Sequence, residues 1–423
     1  MSEVRMNRWL VVIGAVLIQL SLGAIYAWSV FTPALLEAGW SKVQTQVVFS
    51  VELATFAIVM VFAGKLLLSW GPRRLAVTSG VVLGIAYVLA GLLGATSFPI
   101  LLVFIGLVAG AGIGLGYVVP IAVGMRWFPD KKGMIIGLAV AGFGFGAMAW
   151  VKLAGEWGHL ISGIGLSGTF IAYGVTFAAL VLLGGKWMVL PPEGWLPKGY
   201  IPPESAGLSV SNGAVVETSG AGLLKTYQFY LIFLAFAISA GAGLMSIGIM
   251  KLYPMEALTA SGYSQAEASI ISGTAMAVFF SIANGLGRIV WGTLSDKIGR
   301  RRSLILMCTI QGFALFGFPA LAGNEMSLYF GAALIGFNFG GNFALFPTIT
   351  ADTFGTVNVG QNYPYVFLAY GVGGILGPIV GGLMGDMGKF STAFTYAGML
   401  CLMGGFFIGA IEPRELLRTK RTG

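Results

Sequence analysis

The residue with the clearest chemical potential is an arginine inside an apolar stretch: Arg288, in Asn284-Gly-Leu-Gly-Arg288. It lies seven residues before Ser295, so about 10 Å of helix separates it from the end of the stretch. An arginine at such depth costs roughly 2.5–3.5 kcal/mol on insertion scales, and residues of this kind usually face a cavity. The alternative is a side chain that snorkels to the interface. Asn284, one helical turn away, makes the same face polar and favours the cavity. The natural partner is an anion, because a guanidinium offers paired donors that match a carboxylate. At an effective dielectric near 20 their attraction is of order 4 kcal/mol at 4 Å, enough to offset the insertion cost. One cation suits one carboxylate, and no other Lys or Arg lies as deep in an apolar stretch.

Glu52 is the only carboxylate deep inside an apolar stretch, about 14 Å from one end. Such an acid could carry a proton, or it could be a structural group hydrogen-bonded between helices. Tyr26, Tyr117, Asn338, Asn342, Phe343, Phe367 and Tyr370 complete the candidate lining. Asn338 and Asn342 are one turn apart and predict one polar face. A tyrosine supplies an apolar wall with one donor, which suits a small acid, although tyrosines also pack between helices. Enzyme chemistry finds no support. The sole histidine, His159, falls in a connection, and there is no Gly-x-x-x-x-Gly-Lys-Ser/Thr loop. Gly112-Ile-Gly114 lacks the preceding strand of a nucleotide fingerprint, and Cys308 and Cys401 read as small hydrophobes without metal-ligand spacing. No metal, cofactor or nucleotide is expected.

The elements that hold these residues follow from composition. Of 423 residues, 57% are hydrophobic and 9% charged, against roughly 45–50% and about 25% in soluble domains. So few charges cannot cover a soluble protein's surface, so the chain belongs in a lipid bilayer. Apolar windows fall at 9–33, 43–68, 75–97, 99–125, 133–156, 168–190, 227–250, 266–294, 303–323, 326–351, 363–385 and 390–411. Each suffices for a helix crossing a bilayer core about 30 Å thick. The expected fold class is therefore all-α, with twelve transmembrane helices in two six-helix bundles, 1–190 and 226–423. They are joined by a Pro-, Gly- and Ser-rich linker at 191–225 that reads as cytoplasmic. The N-terminal stretch has no convincing cleavage site and reads as a retained first span.

Orientation follows from Lys and Arg. Eighteen of the twenty-four fall on the tails and on the loops of one side, whereas Lys42, Lys152, Lys251 and Lys389 alone mark the other. The basic side is expected to face the cytoplasm with both termini. The net charge of +8 then reflects topology and calls for no nucleic acid. Glycine, 65 residues in all, crowds several spans, among them Gly110, Gly112, Gly114 and Gly116 in the fourth. Small faces let membrane helices approach closely and slide. Pro120, Pro347 and Pro378 can kink or open their helices.

The halves echo one another. Gly64-Lys-Leu-Leu-Leu-Ser-Trp-Gly71-Pro-Arg73-Arg74 follows the second window, and Gly292-Thr-Leu-Ser-Asp296-Lys297-Ile-Gly299-Arg300-Arg301 the eighth. This loop element resembles that of the major facilitator superfamily over nearly the full chain. The first copy has Leu68 in place of the acid, Ser69 in place of a base and Pro72 in place of another. The resemblance implies alternating access, with Asp296, Lys297, Arg300 and Arg301 clamping the cytoplasmic side in an asymmetric gate. As positive-inside anchors alone, the first copy reads equally well.

Asn284-Gly-x-x-Arg288, together with Arg126-Trp-Phe-Pro-Asp-Lys-Lys-Gly133, is similar to the branch of oxalate:formate antiporters and bacterial monocarboxylate transporters. That resemblance implies that Arg288 binds a substrate carboxylate. The oxalate exchangers' lysine in span eleven aligns with Tyr370 here, which argues for a monocarboxylate such as lactate or pyruvate. The animal monocarboxylate transporters' proton-site aspartate aligns with Asn284, and their span-one lysine has no counterpart, so proton coupling does not carry over from those residues. The expectation is a monomeric transporter of a small organic anion in a bacterial inner membrane. It would act as a symporter with a proton, and anion exchange is the alternative.

Overall fold

The computed structural model describes residues 6–155, 157–192, 194–197, 220–355 and 358–411. Most of the expected linker and the basic residues Arg5, Lys198, Arg414, Arg418, Lys420 and Arg421 lie outside them. Twelve helices are long and apolar enough to cross a membrane: α1 (Trp9–Trp28), α2 (Gln44–Trp70), α3 (Pro72–Gly94), α4 (Phe98–Trp127), α5 (Lys132–Ala154), α6 (Leu160–Gly185), α7 (Tyr227–Ile249), α8 (Gln265–Ile298), α9 (Arg300–Leu321), α10 (Glu325–Phe354), α11 (Val359–Gly385) and α12 (Phe390–Gly409). The chain is a multi-pass, all-α membrane protein.

Several boundaries differ from the apolar windows. α8 runs on to Ile298, α10 to Phe354, and α11 begins at Val359 rather than near 363. Hydropathy falls where Asp296, Lys297 and Asp352 enter, but the backbone ladder does not, so the helices carry polar ends beyond the apolar core. Local signals set the other ends. Ser41 and Gln44 form a capping box that opens the second helix, Ser264 and Glu267 one before α8, and the Asn324 side chain accepts from Ser327 N–H before α10. α3 and α9 each follow a glycine in the positive-φ region, Gly71 at 77° and Gly299 at 89°. Other residues enter that region at a cost. These glycines are equivalent members of the two loop elements.

α1 tightens into a 3₁₀ segment, Gly23–Val30, which carries Tyr26. π-helical turns interrupt α4 at Leu102–Ala109 and α8 at Ala275–Phe280, and nothing in the hydropathy foreshadowed them. The helices continue through Pro120, Pro347 and Pro378 without a break.

Packing repeats with a shift of six. α1 packs on α5, α2 on α4 and α3 on α6, and the same pairs recur as α7 with α11, α8 with α10 and α9 with α12. The two sets meet along two equivalent seams, α5 with α8 and α2 with α11. In the first seam, a Cβ on Gly133 or on Gly292 would meet the other's carbonyl oxygen; in the second, a Cβ on Gly64 would meet that of Gly360. Backbones this close need glycine.

Candidate functional site

Arg288 is fully buried where the two sets meet. Its Nε donates to Asn284 Oδ1 at 3.1 Å, one turn back on α8, and its Nη1 donates to the Val140 carbonyl of α5 at 2.9 Å. The guanidinium lies 4.1 Å from the ring centre of Phe343 on α10 and 5.2 Å from that of Phe143 on α5. Aromatic faces stabilise a desolvated cation by about 2 kcal/mol or more. Among the described residues no carboxylate pairs with Arg288, and its Nη2 has no hydrogen-bond partner.

Tyrosines pack on the rings that flank this charge: Tyr26 and Tyr117 lie 5.1 and 5.4 Å from Phe143, Tyr370 stands against Phe343, and Tyr363 is one ring further out, 5.6 Å from Phe367. Tyr26 Oη and Tyr370 Oη are 2.8 Å apart, one hydroxyl donating to the other, which joins α1 to α11 across the two sets. The Tyr117 and Tyr363 hydroxyls are buried and have no partner among the described residues. Phenylalanines close the walls: Phe56 and Phe367 are 4.9 Å apart, Tyr117 and Phe367 5.2 Å, and Phe343 and Tyr370 5.5 Å between ring centres. The result is a buried aromatic cluster with one cation, donors left over on Arg288, Tyr117 and Tyr363, and no paired anion among the described residues. Such a cluster can meet a small molecule by one carboxylate and a few hydroxyl contacts.

The structure therefore brings together Arg288, Asn284, Tyr26, Tyr117, Tyr370, Phe343 and Phe367. It leaves the two asparagines of α10 aside. Asn342 Oδ1 accepts from Ser239 Oγ of α7 at 2.7 Å and its Nδ2 donates to the Phe339 carbonyl, while Asn338 donates to the Leu334 carbonyl. α10 presents Phe339 and Phe343 to the cluster, and Asn338 Oδ1 is buried without a hydrogen-bond partner among the described residues. Glu52 is also elsewhere. It is fully buried on α2, acts on Tyr87 of α3, and neither carboxyl oxygen has a partner among the described residues.

Three participants were not foreseen. Tyr363 is spaced four and seven residues before Phe367 and Tyr370, which is one helix face and a readable signal. Phe143, between Gly142 and Gly144, and the Val140 carbonyl left none, since a backbone acceptor carries no sequence mark.

At the basic end the Asp296 carboxylate crosses the first seam. Oδ1 accepts from Gly133 N–H at 3.2 Å and Oδ2 from Met134 N–H at 3.0 Å, the first turn of α5. Free N–H groups and the helix dipole favour an anion there. Arg300 lies 2.6 Å from Asp296 and donates through Nε to Asp352 of α10 at 3.2 Å. Lys297 is exposed, and Arg301 donates to the Gly409 carbonyl at the end of α12, within its own set. The cross-seam contact thus rests on Asp296, held by Arg300. The second seam closes differently: a Cβ on Gly360 would meet Leu67. At this end the first seam carries a polar contact and the second an apolar one. A further tie, unforeseen, joins Arg8 to Asp130 at 3.2 Å, with Arg8 over the Phe128 ring.

The sequence pattern of the Major Facilitator Superfamily matches residues 11–272 and again 232–422. An uncharacterized MFS-type transporter of Escherichia coli (strain K12), YhjX, is 29% identical over 384 residues, 88% of this chain and 87% of that protein. The oxalate:formate antiporter of Oxalobacter formigenes is 27% identical over 193 residues, 45% of this chain and 44% of that one. Apicoplast pyruvate carrier 1 of Toxoplasma gondii is 36% identical over 89 residues, 21% of this chain and 16% of that one. Among solved structures, the E. coli fucose:proton symporter FucP superposes with a TM-score of 0.65 at 14% identity, covering 95% of this chain and 97% of that one. That likeness concerns the fold.

Proposed function

The chain belongs to the major facilitator superfamily, and we propose that within it this transporter moves a small monocarboxylate of the lactate or pyruvate class, with a proton, by alternating access. The observation that carries the reading is Arg288, a buried cation with a donor to spare, ringed by aromatic side chains from both sets of helices. Arg288 binds the carboxylate, Asn284 fixes the guanidinium, and Tyr117, Tyr363 and the Tyr26–Tyr370 pair meet the hydroxyl or keto group. The neutral tyrosine pair at position 370 leaves a second carboxylate without a partner. The pyruvate carrier and the oxalate:formate antiporter among the relatives agree with a small organic acid.

The two units that rock are 1–190 and 226–423, connected through 191–225. The basic end faces the cytoplasm of a bacterial inner membrane, with both termini inside, so the Asp296 contact is the cytoplasmic latch. Glu52 is the candidate for the coupling proton; failing that, the proton rides on the acid bound at Arg288.

The oxalate:formate relative favours one second reading, exchange of organic anions. Proteoliposomes separate the two. Uptake of labelled lactate driven by an acid-outside gradient supports symport, and uptake only against an internal counter-anion overturns it. Arg288→Gln is expected to abolish uptake with normal expression; retained uptake refutes the site.

A further inference from the structure

A cavity of about 950 Å³ touches none of the Arg288 cluster. It runs beside the α2–α11 seam at the end opposite the basic face, between Gln46–Ala54 of α2, the end of α7, the short helix Leu252–Ala260 and Ile375–Gly385 of α11. Its volume is in the range, about 300–1,000 Å³, that holds a drug-sized molecule. Val47, Ile375, Ile379 and Leu383 line it, and each is more than a third exposed. Large apolar side chains exposed along membrane-crossing helices face lipid, so the cavity opens sideways into the bilayer.

Two features give it a polar reading frame. Ser50 lines the cavity, is more than nine-tenths buried, and its hydroxyl has no hydrogen-bond partner among the described residues. Such a group costs free energy unless a ligand meets it. At the mouth, Glu256 is the one charged residue of the lining. A small anion is a poor occupant, because the only charge repels it and the walls are apolar.

We propose that this cavity is a phospholipid site. One acyl chain lies between α2 and α11, the Ser50 hydroxyl donates to an ester oxygen, and the Glu256 carboxylate faces a headgroup ammonium. An apolar wall open to the bilayer selects the chain, and the single carboxylate selects a cationic nitrogen over an anionic headgroup. The lipid fills the space beside the α2–α11 seam at this end, while at the basic end Asp296 closes the α5–α8 seam.

The test uses the full chain, purified in detergent and incubated with equal amounts of phosphatidylethanolamine and phosphatidylglycerol, with bound lipid read by native mass spectrometry. The expected result is one retained lipid, with ethanolamine favoured up to about fivefold, the range of an exposed ion pair. Glu256→Gln is expected to even the two headgroups. Gly382 lines the cavity and a Cβ there meets no atom within 4 Å, so Gly382→Phe fills the space without disturbing the helix contacts and is expected to lose the lipid. Ser50→Leu provides a second, independent filling. Lipid retained at the parent level in both folded filling variants overturns the site, and equal retention of both headgroups by the parent chain overturns the role of Glu256.

Discussion

The hydroxyls of Tyr26 and Tyr370 are 2.8 Å apart, one on a 3₁₀ segment of α1 and the other on α11. The bond ties together two helices that must part if the sets rock. A neutral hydrogen bond is worth about 0.5–1.5 kcal/mol net, and removing one partner strands the other. Tyr26→Phe and Tyr370→Phe are each expected to weaken substrate binding, by about two- to tenfold. The double variant is expected to be no worse than either single one, because the pair acts as a unit. Additive losses in a thermal-shift titration would assign the two hydroxyls to separate tasks.

Position 370 also bears on cargo. Tyr370 packs against Phe343, the ring over which the Arg288 guanidinium lies, and a cation there would give a second carboxylate its own partner. Tyr370→Lys is therefore expected to gain binding of oxalate and to lose selectivity for lactate. The measurement is stabilisation by each anion over a concentration series. Unchanged ranking of the two anions sinks the one-cation, one-carboxylate argument.

Asp296 accepts from Gly133 and Met134 N–H while pairing with Arg300. Bonds to a charged group are worth about 1.5–3 kcal/mol. Asp296→Asn removes the charge and is expected to shift the population toward an open basic end by about ten- to a hundredfold. Cys308 and Cys401 are both buried, so spin labels on introduced cysteines at the basic ends of α5 and α8 can report it. A distance distribution that does not broaden or lengthen refutes the latch.

Glu52 is buried on α2 with neither oxygen paired among the described residues, beside Tyr87 and apart from the Arg288 cluster. If it carries the coupling proton, Glu52→Gln mimics the protonated form permanently. The variant is expected to exchange substrate across the membrane at near-parent rates and to lose acid-driven accumulation. Accumulation that survives returns the proton to the bound acid itself.

The spans and their repeat were legible because hydrocarbon demands long apolar helices, and the loop elements around Gly71 and Gly299 mark their turns by residue type. Arg288 was legible because a buried charge is costly and rare. Polarity at the helical spacing of Asn338 and Asn342 does not say which neighbour is polar: Ser239 on α7 takes Asn342, while Phe339 packs on Tyr26 and Phe343 on the Arg288 guanidinium. Val140 was invisible because its carbonyl belongs to every residue type. The π turns of α4 and α8 left no periodic trace, since one inserted residue changes register without changing composition.

The last prediction concerns how Arg288 is held. Its Nε is fixed by Asn284 and its Nη1 by the Val140 carbonyl, which leaves Nη2 as the donor without a partner on a guanidinium set against Phe343 and Phe143. A lysine keeps the charge but has one nitrogen, which cannot hold both acceptors and still present a donor at the same place. Arg288→Lys is thus expected to bind substrate at least about tenfold more weakly despite its charge. Asn284→Ala keeps the guanidinium but frees Nε, a charged donor worth about 1.5–3 kcal/mol when paired, and is expected to lower affinity by about ten- to a hundredfold. Asn284→Asp tests the sign of the effect: a carboxylate one turn away neutralises the guanidinium and competes with the substrate, so affinity falls although the hydrogen bond is kept. If Asn284→Asp binds as well as the parent, charge at Arg288 is not what holds the anion.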